Sequence, residues 1–96
     1  MTRAAFMKSL SAKEPPAGLT LAQRGLWHAK KGDWNKAHEC AQEQDDREGA
    51  WVHAYLHRVE GDEGNAGYWY RRAGRPFSKL SLEEGWQELV AILFPG

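Results

Sequence analysis

The chain has 96 residues, the length of one domain, and its 13 Lys and Arg balance 13 Asp and Glu. Zero net charge excludes the globally basic footprint of nonspecific nucleic-acid binding. Leu, Ile, Val and Phe total only 16, but balanced charge argues against disorder, and five Trp, three Tyr and 13 Ala supply core material.

Residues 1–18 read as an N-terminal tail or short helix followed by a Pro-Pro linker. Met1 to Lys13 carries Arg3, Lys8 and Lys13 with no acid and lacks the apolar stretch of a secretory signal. Glu14-Pro15-Pro16-Ala17-Gly18 is a segment that a helix does not cross. Residues 19–96 read as a single helical-hairpin domain. β-branched residues are scarce, and no stretch alternates as a half-buried strand does.

Thr20 stands three residues before Gln23, the spacing of a capping box, and predicts a helix from about Leu21 to Lys31 that stops at Gly32. Asp33 caps a second helix, about Trp34 to Gln44, with Trp34, Ala37 and Ala41 on one face. Asp45-Asp46-Arg47-Glu48-Gly49 reads as a polar turn. A third helix, about Ala50 to Glu60, carries Trp51, Val52, Tyr55, Leu56 and Val59 as a broad apolar stripe. Gly61 ends it and Asp62 opens a fourth, which carries Ala66, Trp69, Tyr70 and Ala73 and stops at Gly74-Arg75-Pro76. Ser81 and Glu84 repeat the capping-box spacing before a last helix, about Leu82 to Phe94. Leu82, Trp86, Leu89, Val90 and Leu93 form its apolar face. Such a helix covers an apolar end of the stack. Gly25, Gly64, Gly67 and Gly85 fall within or near helices, where close packing against a neighbour is the usual reason for glycine.

The Gly-Asp pairs at 32–33 and 61–62 are 29 residues apart, and Ala37 matches Ala66 and His28 matches His57 at that offset. Helix, Gly-Asp turn, helix is used twice, and each hairpin has an apolar face to bury. Gly61-Asp62-x-x-Asn65-Ala66-x-x-x-Tyr70-x-x-Ala73 resembles the second half of a tetratricopeptide repeat. The run from Asn65 to Ala73 is still closer to the end of a Sel1-like repeat, and Gly32 to Ala37 is similar to the same turn. The offset of 29 is shorter than the tetratricopeptide length of about 34. The chain as a whole also resembles a group of small proteins that carry over no activity. The resemblance implies an all-α fold, two stacked helical hairpins with a C-terminal capping helix, and a noncatalytic protein- or peptide-binding or scaffolding role. It places Trp51, Tyr55 and Arg58 on the concave face as partner contacts, and aromatics with Arg are favoured interface anchors. The competing assignment for Trp51 is core, beneath the last helix. A homodimer is also compatible with such surfaces.

The alternative is a small-molecule, anion or metal site. His53 and His57 are four apart and share a helix face. His28, His38 or Cys40 would have to add further ligands, and the metalloprotease helix motif is absent because Ala54 follows His53. Tyr68, Arg71 and Arg72 interleave aromatic and basic groups that suit a base or phosphate. Against that, the basic run from Arg71 to Lys79 and the acidic run from Glu39 to Glu48 can face each other. The expectation is therefore no catalytic residue, no cofactor and no metal, with nucleic acid disfavoured. Cys40 stands alone as a small buried hydrophobe, which suits a reducing, cytoplasmic setting. No apolar run reaches the roughly 20 residues of a membrane span.

Overall fold

The computed structural model describes residues 1–96. Six helices form and no strand does: α1 (Arg3–Ser9), α2 (Leu21–Lys30), α3 (Trp34–Glu43), α4 (Arg47–Val59), α5 (Glu63–Ala73) and α6 (Leu82–Leu93). The accessible surface is 5546 Å², close to the roughly 5,600 Å² that a folded chain of this mass exposes.

Every helix begins at a side chain that accepts from the N–H three residues on: Thr2, Thr20, Asp33, Asp46, Asp62 and Ser81. Thr20–Gln23 and Ser81–Glu84 close as reciprocal capping boxes. The two Gly-Asp pairs are one motif used twice. Gly32 and Gly61 take φ of 85° and 83°, the left-handed region where a Cβ is strained. Each donates its N–H back to the helix it ends, Gly32 to Ala29 at 3.1 Å and Gly61 to Arg58 at 3.0 Å. The aspartate that follows donates too, Asp33 to His28 at 2.9 Å and Asp62 to His57 at 2.8 Å. That pair of bonds is the Schellman ending, and the same aspartate then caps the next helix.

α4 starts three residues earlier than its sequence predicts. Asp46, in the middle of the expected polar turn, is the cap: it accepts from Gly49 N–H at 2.9 Å, and Arg47 to Gly49 form the first turn of helix. Glycine is needed there because a Cβ would run into the carbonyl oxygen of Gln44. The other helix boundaries fall within a few residues of expectation.

The most extensive contacts join α4 to α5 and α2 to α3, and α4 also packs against α3, α2 and α6. α4 is thus surrounded, and it is buried without a break from Gly49 to His57. Gly25 of α2 lets that helix approach α3 and α4. A Cβ there would lie 3.3 Å from both the Ala37 carbonyl oxygen and Val52 Cγ1. Gly85 of α6 does the same over Tyr55 and Arg58 of α4. Gly64 and Gly67 meet no such constraint, and neither lies against Trp51.

The N-terminal segment is part of the same core. Phe6 of α1 is fully buried, its ring centroid 4.3 Å from Phe94 and 6.2 Å from Trp86. The Arg3 side chain donates to the carbonyls of Phe94 and Ala91. α6 is tied to α2 by Trp86 Nε1 donating to the Leu26 carbonyl at 3.0 Å. Leu82, expected on the apolar face of α6, is instead exposed at its first turn. No helix is long and apolar enough to cross a membrane.

A candidate three-histidine centre

α4 places His53 and His57 one turn apart on a single face, with ring centroids 4.9 Å apart and 24° between planes. Because α3 and α5 close over that face, both rings are withdrawn from solvent, His53 at 3% exposure and His57 at 7%. α3 adds a third imidazole. His38, half-buried, meets His53 edge-on at 4.5 Å and His57 at 5.5 Å. One ligating atom from each of the three histidines lies within 4.8 Å of the others.

Two tryptophans wall the cluster. Trp34 of α3 stacks on His38 at 4.7 Å, and its Nε1 donates to the Leu56 carbonyl at 2.7 Å, which fixes the indole. Trp69 of α5 stacks on His53 at 3.8 Å and 15°. The Arg72 guanidinium lies 5.3 Å from the Trp69 ring centroid.

Hydrogen bonding separates the three rings. His57 Nδ1 is 2.6 Å from Glu60 Oε1. An ionised carboxylate only accepts, so Nδ1 carries the proton in this bond and Nε2 is the nitrogen left for a ligand. Glu60 closes α4, and Asp62, the cap of α5, joins His57 and Glu60 in a second group of ligand-type atoms. His53 is different: its Nδ1 is buried and has no hydrogen-bond partner. Leaving a buried polar atom unpaired costs about 1–3 kcal/mol. Burial, and then the neighbouring His38 and His57, push His53 down to about 4. The His38 imidazole is lowered as well, first by burial and then by His57. Both rings are therefore neutral at neutral pH and keep a lone pair for a ligand.

The partner contacts expected on α4 are not surface groups. Trp51 and Tyr55 are 4% and 8% exposed, so both belong to the core, with α6 packed over Tyr55 through Gly85. The Arg75 guanidinium, 3.6 Å from the Trp51 ring centroid, covers that indole further. Arg58 is spent internally: its Nη2 donates to the Leu80 carbonyl and anchors the α5–α6 connection. Neither Trp51 nor Tyr55 is thus open to a partner on α4, because α6 and Arg75 lie over them.

Of the ligand and anion candidates, His53 and His57 meet in the cluster, and Tyr68, Arg71 and Arg72 do not join them. Tyr68 and Arg72 bond each other at 3.1 Å on the outside of α5, and Arg72 lies 3.6 Å from Asp45. One residue of the basic run thus faces one of the acidic run, which draws Arg72 away from an anion. Arg71 is exposed and contributes nothing to the cluster. His28, on α2, packs edge-on to Trp27 at 5.2 Å, outside the cluster. Cys40 is half-buried rather than buried, and burial raises its thiol above the usual range.

Of the three residues that the sequence offers as further ligands, His28, His38 and Cys40, it is His38 that joins the pair. A signal existed: Trp34 and His38 are four apart, so His38 shares the face already assigned to the core. No family model, curated protein or solved structure matches the chain.

Proposed function

We infer that the protein is a noncatalytic binding module of stacked helical hairpins whose site is the histidine cluster at α3, α4 and α5. One observation carries this: three imidazoles converge, and the most buried of them holds an unpaired nitrogen. A core built only for stability fills such a position with an apolar side chain or pairs the nitrogen. A small ligand that takes up the lone pair offsets the cost. The ligand-binding reading moves ahead of the peptide-binding one because Trp51 and Tyr55 lie under cover. The lone, unpaired Cys40 suits a cytoplasmic setting.

The test is native mass spectrometry of the untagged protein, incubated with the low-mass filtrate of its own cells. A reproducible added mass on the wild-type chain, absent from His38→Gln, is expected. His38 is half-exposed, so that substitution leaves the fold intact. A bare chain in every filtrate, or an added mass that His38→Gln retains, overturns the site.

A further inference from the structure

The donor set narrows the ligand class, an inference that rests on the binding reading above. We propose that His38, His53 and His57 hold one divalent first-row transition-metal ion, typified by Zn²⁺, with Glu60 orienting His57. Three imidazole nitrogens make an N₃ donor set, which leaves a fourth position for water. Such a set suits Zn²⁺, Co²⁺, Ni²⁺ and Cu²⁺. It does not suit Ca²⁺ or Mg²⁺, which demand oxygen ligands, and it offers no sulfur for a soft monovalent ion.

Four features point the same way. The ligand atoms lie within 4.8 Å of one another. With metal–nitrogen bonds near 2.05 Å, tetrahedral ligands sit about 3.3 Å apart, so the rings close by roughly 1.5 Å at most. His38 is the half-exposed member of the three, so the closure falls to the ring least enclosed by the core. His53 brings a buried nitrogen without a partner. The His57–Glu60 bond at 2.6 Å reproduces the carboxylate–histidine pairing that sets the tautomer of a metal-ligating imidazole. Finally, Glu60 and Asp62 place two carboxylates beside His57, where they offset the charge of a divalent ion.

The pattern is also economical. His57 is the third residue from the end of α4, and its carbonyl accepts from Asp62 N–H in the Schellman ending. The same turn thus fixes the backbone of one ligand and carries both carboxylates. His53 is one turn earlier on the most buried helix, where Trp69 bars it from rotating outward.

The experiment uses the untagged full chain, stripped with a chelator and titrated with Zn²⁺ and with Co²⁺. One equivalent of Zn²⁺ is expected to bind and to raise Tm, and Co²⁺ to give the intense visible bands of a tetrahedral site. His38→Gln should weaken Zn²⁺ binding by at least about 100-fold, and Glu60→Gln by about tenfold. His28→Gln, outside the cluster, should leave the affinity unchanged. Circular dichroism confirms that each variant folds, and His38→Gln serves should a variant at buried His53 fail to do so. Failure to bind any of these ions, or binding that His38→Gln leaves intact, overturns the metal assignment. The binding reading is separable: a filtrate mass that survives passage over chelating resin, yet depends on His38, keeps the ligand site while removing the metal. Loss of both removes both.

Discussion

At the residue scale, the site begins with two imidazoles one helical turn apart on α4. Spacing of four places His53 and His57 on one face by helix geometry alone. That His38 joins them depends on how α3 crosses α4, which no local spacing encodes. The depth of burial was hidden for the same reason, and it has a consequence for the metal-free protein. His53 titrates near 6.5 in the unfolded chain and at about 4 in the folded one. Between those values the unfolded chain takes a proton that the folded chain refuses. Stability is therefore full above pH 6.5 and falls as pH falls through the window to 4, by about 3 kcal/mol in total. The lowered His38 adds in the same direction. Urea unfolding of metal-free wild type and His53→Leu at pH 7, 5.5 and 4.5 checks this. The wild type should lose more stability on acidification than the variant. Parallel losses would mean that His53 titrates normally in the fold.

At the element scale, local chemistry was a good guide because each helix is set by its own ends. Side-chain caps, capping boxes and Gly-Asp turns act within a few residues, so spacing reports them. The start of α4 was missed because glycine and a charge run suggested a turn. The glycine is there instead to clear the Gln44 carbonyl as the helix begins. The repeated turn makes an element-scale prediction. Gly32 and Gly61 share the left-handed backbone, and a Cβ at either would meet nothing within 4 Å. Only conformational strain then separates glycine from alanine, about 1–2 kcal/mol. Gly32→Ala and Gly61→Ala should each lower unfolding free energy by that amount and by nearly equal shares. Denaturant titration of the two variants reads this directly. Markedly unequal losses would show that the two turns, alike in hydrogen bonding, are not equivalent in what they support.

At the scale of the whole molecule, what covers what was beyond the sequence. Periodicity says that a helix has an apolar face, and not which neighbour receives it. Trp51 and Tyr55 became core because α6 and Arg75 close over them, and the N-terminal segment became structure because it docks on α6. α1 has seven residues, too few to persist alone in water. Its order comes from what it touches. Phe6 fills the space between Trp86 and Phe94, and the Arg3 side chain and backbone N–H bond to carbonyls near the C-terminus. Lys31 Nζ donates to the Leu10 and Ala12 carbonyls and so fastens the far end. Phe6→Ala removes the central piece of this contact, and a truncation of that size in a core costs about 3–5 kcal/mol. The loss should appear in denaturant unfolding as a lower midpoint, while the histidine cluster, built from α3, α4 and α5, keeps its ligand at saturating concentration. A loss below about 1 kcal/mol would return α1 to the role of a frayed tail. A full loss of stability that also abolished ligand uptake under folding conditions would instead show that the two ends of the molecule are coupled through α4. It contacts α6 and also α3 and α5, which close over the histidine cluster.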